Sequence, residues 1–556
     1  MAVLSREFGP EPDSELFISK TGMCSIEYYA SCKDPYRVAS NNIPVGWPWL
    51  CARASEAAND LGDQLYEPIQ KVLSDYNISG GCAKNYNFAP RYTPEDAHYI
   101  CLIRTRDEFN ASWRKAADEI YNDIIEPAAT AVGIKMTVEI CNEDKMYKDA
   151  SSLITDDSTI NTITRIRPCI VAAVKQHCPG KWTSIAYHAR EVQPWSSSQS
   201  WIDSSERKPT VIVFVKPGTN HAWAEFEKTI ADVIRSATFQ GEASISLEIL
   251  PGRISHPRPS EKANQYHSLN RIPMIPSNGS SISPGLCTDA AGTLGPVVDY
   301  HAAGEEDAKK CFLTCYHVVA TGDPAEKETN DLHGIGINGR KIDTQINIHY
   351  PAKCDSQETK RFHNTRGTQR ATDVIKRLDD LAARGPIGHV TFASGNRLLD
   401  HHRRMDWALV ELDPTLPVQN LLPMEDQFTE ECFKDCPDYI VQEGEIVSGI
   451  NSVIKKNTWH GKVGQTTDCT AGEFNMIPRD IAWPDGSFSE EYELKSIYYN
   501  EGFTRGDSGS LVFNIDKEWV GMLFAADGGR GCGFVTPACE LLRDIEETTG
   551  GKITLV

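Results

Sequence analysis

The chain lacks several features that would define its class at once. It has no run of 18 or more apolar residues, so no segment is expected to span a membrane. Its first residues show no basic stretch followed by an apolar one, so we expect no secretory signal. The 17 cysteines form no CxxC pair, which favours reduced, buried thiols over a metal site. We therefore expect a cytoplasmic or nuclear protein that needs no metal or organic cofactor.

A net positive charge is lacking as well. The formal net charge is −21, whereas binders of nucleic acids or anionic membranes are normally basic, so neither partner is expected. The 556 residues exceed what one core usually serves, and 40% of them are hydrophobic. Two or three globular domains are the expectation.

The first half of the chain predicts helices and strands in alternation. Residues 1–90 form an irregular N-terminal region with one expected helix over 54–73. In residues 91–250, two strand-helix-strand patterns recur, and each helix begins near a tryptophan, Trp113 or Trp223. We predict one α/β domain with β-α-β repeats, whose role is unknown, either regulatory or that of a pro-domain. Duplication and chance similarity both remain open.

The second half has a different pattern. Residues 251–285 are rich in proline and serine, which predicts an extended linker. Residues 286–556 hold short β-type runs separated by turn residues, which predicts an all-β unit, a barrel or a pair of barrels. A polar segment at 359–383 interrupts it and is predicted to be a solvated surface helix.

One glycine-rich turn suggests chemistry. The sequence Gly506-Asp507-Ser508-Gly509-Ser510 precedes an apolar run, but a serine hydroxyl is a poor nucleophile until a base takes its proton. His317, at the end of the apolar stretch CFLTCYH, offers that base. Asp406, in RRMDWALVEL, offers a carboxylate to orient the imidazole. The chain order His, Asp, Ser is one of the known orders of a catalytic triad.

The three blocks Thr-Cys-Tyr-His, Asp-Trp-Ala-Leu-Val and Gly-Asp-Ser-Gly-Ser resemble those of the chymotrypsin-like (trypsin-like) serine peptidases. The resemblance covers roughly residues 270–556 and implies a double β-barrel with the site between the barrels. It also implies an oxyanion hole formed by the amides of Gly506 and Ser508. Secreted members often have cysteine where this chain has Val318 and Thr504, which fits a reducing compartment. The Leu-Thr-Cys-x-His sequence resembles an intracellular, fungal-type branch.

The resemblance also implies a substrate pocket. Its floor would be Gly502, with Phe524 and Gly533 at its walls. Neither Gly502 nor Gly533 is acidic, so we expect a small or apolar side chain before the cleaved bond rather than Lys or Arg. In relatives activated by cleavage, the equivalent of Asp507 pairs with a freed N-terminal ammonium. Here either another cation satisfies Asp507, or the protein cleaves itself near the linker.

The sequence therefore predicts an intracellular serine endopeptidase that acts on protein or peptide substrates through an acyl-enzyme. The N-terminal α/β domain is expected to regulate it within the same chain. The alternative is a catalytically silent scaffold or binding protein with a protease fold. An esterase of the α/β-hydrolase type is disfavoured, because in that fold the serine motif precedes a helix and here it precedes a strand.

Overall fold

The structure is a computed structural model. It describes residues 17–18, 22–40, 44–46, 49–79, 82–90, 97–146, 150–191, 207–254, 272–285, 291–341, 343–400, 402–423, 439, 444–451, 453–496, 502–504 and 506–556. Contacts within the chain divide it into two units, Met1–Arg253 and Ile254–Val556, and each is described by itself. None of the described helices combines the length and the apolar character needed to cross a membrane.

The first unit mixes strands and helices. Its described strands are β1 (Phe17–Ile18), β2 (Met23–Ser25), β3 (Arg37–Ala39), β4 (Trp49–Arg53), β5 (Cys82–Pro90), β6 (His98–Arg104), β7 (Met136–Cys141), β8 (Ala150–Ser152), β9 (Trp182–Glu191), β10 (Lys208–Val215), β11 (Asn220–His221) and β12 (Ser246–Pro251). Its described helices are α1 (Ile26–Ser31), α2 (Glu56–Asp75), α3 (Ser112–Glu119), α4 (Glu126–Ala131), α5 (Asp157–His177) and α6 (Trp223–Ala237), with a π-helical segment, Ile120–Ile125, between α3 and α4.

Both predicted β-α-β patterns are present in the first unit. Strands β6 and β7 pair in parallel and are connected through α3 and α4. Strands β10 and β12 also pair in parallel and are connected through α6. Trp113 and Trp223 are fully buried at the starts of the two helical connections. The two patterns belong to different sheets, so a single α/β domain over 91–250 stays a prediction.

The second unit is rich in strands. Its described strands are β13 (Ser281–Pro284), β14 (Gly292–Thr293), β15 (Val297–His301), β16 (Lys309–Thr314), β17 (Asn347–His349), β18 (Gly388–Ala393), β19 (Arg397–Leu398), β20 (Arg404–Met405), β21 (Ala408–Leu412), β22 (Gly449–Ile450), β23 (Trp459–Gly464), β24 (Asp468–Phe474), β25 (Arg479–Ala482), β26 (Phe488–Ser496), β27 (Leu511–Asn514), β28 (Glu518–Asp527), β29 (Cys532–Pro537) and β30 (Lys552–Leu555). Its described helices are α7 (Tyr316–Val319), α8 (Lys327–His333), α9 (Lys353–Asn364), α10 (Gln369–Arg384) and α11 (Ala538–Thr549), with short 3₁₀ turns at Ala320–Gly322 and Ile337–Gly339.

The first sheet of this unit curls back on itself. Antiparallel pairing runs in the order β13-β17-β18-β21-β16-β15. Strand β14 pairs with β13, and β14 and β15 belong to one extended segment, so both ends of the sheet meet that segment. Strand β30 adds to the outer edge of β15. We call this sheet the first barrel.

The second sheet closes completely among the described strands. The ring runs β23-β24-β26-β29-β28-β27 and returns to β23, with every neighbouring pair antiparallel. Strand β27, with the sequence LVFN, has all of its side chains buried. We call this ring the second barrel. The two sheets fit the double-barrel, chymotrypsin-like architecture that the sequence predicts.

Two local features differ from the sequence expectation. The segment at 359–383 forms two helices, α9 and α10, because Gly367 between them has a φ of +54° and interrupts the helix. Helix α10 buries an apolar face, including Val374, Leu378 and Leu381, in the core of the unit while its polar face is exposed. Strand β13 lies inside the segment assigned to the linker, with Ile282 in the same core. The domain boundaries at 90, 250 and 285 stay predictions.

Candidate active site

The serine lies on a turn that requires glycine at two positions. Gly506 and Gly509 have φ values of +96° and +95°, a backbone region that other residues rarely adopt. A Cβ on Gly509 would lie 2.4 Å from the carbonyl oxygen of Thr293, and a Cβ on Gly506 would lie 2.1 Å from Thr466 Oγ1. The two glycines therefore let the turn pack closely against its surroundings while it holds Ser508 between them.

His317 and Asp406 meet because their strands are neighbours. His317 lies in α7 just after β16, Asp406 lies just before β21, and β16 pairs with β21. The Nδ1 atom of His317 is 2.5 Å from Asp406 Oδ2, and the main-chain amide of His317 donates to Asp406 Oδ1 at 2.9 Å. The carboxylate is fully buried, and the imidazole side chain is 14% exposed. An ionised Asp406 favours the tautomer with the proton on Nδ1, which leaves the lone pair of Nε2 to act as a base.

One carbonyl joins the histidine segment to the serine turn. The main-chain oxygen of Leu523 accepts from the Cys315 thiol at 3.4 Å and from the Gly509 amide at 2.8 Å. Thr293 adds a second link: its amide donates to the Ser508 carbonyl at 2.8 Å, and its own carbonyl accepts from the Thr314 hydroxyl at 2.9 Å. The structure therefore brings the two segments to the same place, where the first and second barrels meet.

The two amides that are predicted to form the oxyanion hole donate no hydrogen bond within the part of the chain that the structure describes. Neither the Gly506 amide nor the Ser508 amide donates a hydrogen bond to another residue that the structure describes. The neighbouring amides differ, since Gly509 donates to Leu523 and Ser510 donates to the Asp507 carbonyl. Amides that lack an internal acceptor can stabilise a developing oxyanion, which is the role expected here.

The hydroxyl of Ser508 is turned to the main chain. Ser508 Oγ donates to the carbonyl oxygen of Phe524 at 3.3 Å, and Ser508 is only 2% exposed. A rotation about the Cα–Cβ bond changes this hydrogen bond without moving the backbone.

Asp507 has an internal cation. Lys462 Nζ lies 3.0 Å from Asp507 Oδ2, and both side chains are fully buried. Thr466 and Thr467 donate their amides to Asp507 Oδ1 at 3.0 and 3.1 Å. The Thr467 hydroxyl and the Thr504 amide donate to Oδ2 at 2.7 and 3.1 Å. Of the two alternatives raised by the sequence, these contacts favour another cation over a freed N-terminus.

The three pocket residues lie near the serine turn in different ways. Gly502 packs against Ser496, whose Oγ would lie 2.4 Å from a Cβ at 502. Gly533 is opposite Ala526 in the pairing of β28 and β29. The ring of Phe524 is buried in the core of the unit, 6.1 Å from the ring of Trp483, so that its carbonyl rather than its ring faces Ser508.

A metal site is the other arrangement to consider here. Cys315, His317 and Asp406 each offer a ligand atom within 4.8 Å of the others. Burial and the nearby Asp406 carboxylate raise the pKa of the Cys315 thiol well above its usual range, which disfavours the thiolate that metals bind. The 2.5 Å contact between His317 and Asp406 is also shorter than the roughly 3 Å between two ligands on one zinc ion. The geometry favours a hydrogen-bonded pair.

Sequence reasoning missed two residues of this region. Lys462 lies in an ordinary strand sequence, HGKVG, and only its burial beside Asp507 distinguishes it. Phe503 follows the predicted pocket floor and is fully buried. For Lys462 a signal existed, because a buried Asp507 needs a cation, but nothing local identified which one.

Comparisons with known proteins give structural likeness alone. No protein-family model matches the chain, and no curated protein matches it. Similar solved structures include protease A of Thermobifida fusca, at 13% identity and a TM-score of 0.28, covering 50% of this chain and 98% of that one. A protease of Nocardiopsis matches at 11% identity and a TM-score of 0.28, covering 50% and 97%. The chymotrypsin of Cellulomonas bogoriensis matches at 13% identity and a TM-score of 0.26, covering 50% and 98%.

Proposed function

We propose that the second unit is a serine endopeptidase that hydrolyses peptide bonds through an acyl-enzyme on Ser508. The observation that carries the proposal is the buried contact between His317 and Asp406. The segment that carries His317 shares the Leu523 carbonyl with the glycine turn that holds Ser508. Such a contact fixes the ring and its tautomer, which is what general-base activation of a serine requires.

The roles follow from the chemistry of each group. Nε2 of His317 takes the Ser508 proton as Oγ bonds to the substrate carbonyl carbon, and the amides of Gly506 and Ser508 stabilise the oxyanion. His317 then gives the proton to the leaving amine as the C–N bond breaks. Water attacks the ester by the same route, which regenerates Ser508 and releases the new carboxylate. Asp406 holds the ring and stabilises the imidazolium throughout.

The test is covalent labelling of the folded full-length chain with a fluorophosphonate probe, read by mass spectrometry. We expect one adduct on Ser508, which is absent in Ser508→Ala and strongly slowed in His317→Gln. His402→Gln is the matched control, because this histidine lies near Asp406 in sequence and makes a ring contact with Phe488 at 5.9 Å instead. Labelling that survives Ser508→Ala, or that depends on His402, would contradict the proposal.

A catalytically silent scaffold is the second candidate. It is favoured by one observation: the Ser508 hydroxyl donates to the Phe524 carbonyl and the residue is almost fully buried. In that case a chain with native circular dichroism and cooperative unfolding would show no adduct at Ser508 after long incubation with the probe. A stable adduct instead favours the enzyme, since phosphonylation requires an activated hydroxyl.

We further propose that activity needs no cleavage of the chain, although self-processing near the linker is the competing hypothesis. Lys462 supplies to Asp507 the positive charge that a freed N-terminus would otherwise bring. The intact mass of the chain should stay constant during incubation while labelling proceeds. A loss of mass in the active chain, absent from Ser508→Ala, would support self-processing.

The cellular setting and its regulation are also proposals. The cysteines whose side chains the structure describes are free thiols, which supports an intracellular, reducing compartment and protein or peptide substrates found there. Membership of a fungal-type branch is supported by the Leu-Thr-Cys-x-His sequence alone. Regulation by residues 91–250 is supported by their place in the same chain as the peptidase unit, and hydrogen exchange over this segment with and without probe on Ser508 tests it.

A further inference from the structure

Trp407, the residue that follows Asp406, is held by a carboxylate on helix α11. We infer that Asp544 is a positioning residue for this peptidase, which acts through Trp407 to keep the Asp406 carboxylate in place against the catalytic imidazole. The inference rests on the proposed function and adds a residue to the groups that serve it.

The first observation is how Trp407 is bound. Its side chain is fully buried, and its Nε1 atom donates to Asp544 Oδ2 at 2.6 Å. Its amide donates to Ser394 Oγ at 2.9 Å, and its carbonyl accepts from the Ser394 amide at 2.8 Å. In a close-packed interior, an indole that loses its place also displaces the main chain that carries it.

That main chain is shared with Asp406. The carbonyl of Asp406 and the amide of Trp407 belong to one planar peptide group. The carbonyl accepts from the Tyr316 amide at 3.2 Å, directly before His317 in the chain. A rotation of this peptide group therefore turns the Cα of Asp406 and moves a carboxylate whose Oδ2 lies 2.5 Å from His317 Nδ1.

Asp544 also binds the strand that pairs with the residues before Asp406. It forms an ion pair with Arg397, which lies opposite Met405 in the pairing of β19 and β20. One carboxylate therefore reaches the residue after Asp406 directly and the residue before it through one strand pair.

The buried charge of Asp544 makes this attachment strong. Its side chain is 2% exposed, and a carboxylate taken out of water costs free energy unless charged or hydrogen-bonding groups compensate it. A neutral acceptor would satisfy the indole at a smaller desolvation cost. Hydrogen bonds to an ionised acceptor are shorter and stronger, so the carboxylate holds Trp407 more firmly than a neutral group would.

The test compares Asp544→Ala with Asp355→Ala in the full-length chain. Asp355 is the matched control, because it is a buried carboxylate on α9 that accepts from the Ser281 hydroxyl. We expect both variants to lose stability. Only Asp544→Ala should lower kcat for a peptide amide, by about 10- to 100-fold with KM unchanged, since a misplacement of roughly 1 Å can cost on the order of 100-fold.

A second readout does not depend on turnover. The proton in a short, charge-assisted hydrogen bond such as that between His317 Nδ1 and Asp406 gives a low-field signal in proton NMR, which His317→Gln should abolish. This signal should shift or broaden in Asp544→Ala and stay unchanged in Asp355→Ala.

Two milder variants apply if Asp544→Ala does not fold. Asp544→Asn keeps an acceptor for the indole but loses the charge, so kcat should still fall with KM unchanged. Trp407→Phe removes the donor and should lower kcat in the same way. In the double variant the two losses should not multiply, because both changes break one contact.

The outcomes separate the inference from the proposed function. The inference is overturned if the folded Asp544 and Trp407 variants keep the parent kcat, or if Asp355→Ala lowers kcat and alters the NMR signal as Asp544→Ala does. Ser508-dependent labelling of the parent chain leaves the proposed function intact in either case. A folded parent chain without Ser508-dependent labelling or hydrolysis refutes the proposed function, and the inference falls with it.

Discussion

Replacing Lys462 by methionine tests how the serine turn is held in place. The substitution keeps the length and apolar stem of the side chain but removes the charge that lies 3.0 Å from Asp507. Removing one partner of a buried ion pair typically costs about 3–5 kcal/mol, because the other charge stays buried. Asp507 would keep its hydrogen-bond donors from Thr466, Thr467 and Thr504. We therefore expect the free energy of unfolding to fall by about 3 kcal/mol, near the lower end of that range.

Activity should fall by more than stability alone explains. Asp507 lies between Gly506 and Ser508, so a displaced carboxylate moves the two amides that we propose to stabilise the oxyanion. Misplacing one such donor costs roughly 100-fold or more in kcat. The assays are urea unfolding, followed by tryptophan fluorescence, and steady-state hydrolysis under conditions where the variant is fully folded.

A matched control comes from the same barrel. Lys517 also pairs with a carboxylate, Glu445, but the two side chains are 25% and 31% exposed. Lys517→Met should therefore cost less than about 1 kcal/mol and leave kcat unchanged. The reasoning is refuted if Lys462→Met and Lys517→Met behave alike, or if Lys462→Met keeps full kcat.

Two further predictions concern buried titratable groups. Burial raises the pKa of Glu491 from 4.5 to about 7, although its contact with the Arg404 amide opposes the shift. Because the folded state holds this proton more tightly, the contribution of Glu491 to stability is greatest below pH 4.5 and is lost as the pH rises through about 7. Glu491→Gln keeps the acceptor oxygen, so its melting temperature should exceed that of the parent at pH 8 and lose this advantage at pH 4; equal differences at both values would contradict the argument. Burial also raises the pKa of the Cys315 thiol well above its usual range. Iodoacetamide at pH 8 should therefore modify the exposed Cys51 and Cys169 before Cys315. If Cys315 were alkylated first, with loss of activity, the result would instead indicate a thiol nucleophile.

The parts of the fold that could be predicted from the sequence are those that contiguous residues determine. Apolar runs such as 511–514 specify buried strands whatever surrounds them, and β27 lies there. The parallel β-α-β connection around Trp223 follows from a helix pattern placed between two strand patterns. The split of the 359–383 segment was missed because its charged residues continue the helical pattern across Gly367, where backbone conformation rather than polarity ends the helix.

The candidate site also has a part that contiguous residues determine and a part that depends on the fold. The residue types and chain order of His317, Asp406 and Ser508 are readable from sequence. The contact between His317 and Asp406 depends on β16 pairing with β21, and the proximity of the serine turn depends on one carbonyl of β28 that both segments share. Residues without a motif could not be found in this way. Lys462 matters only because folding places it beside the Asp507 carboxylate, 45 residues later in the chain. The sequence around Lys462 would be equally typical of a strand whose lysine is exposed to solvent.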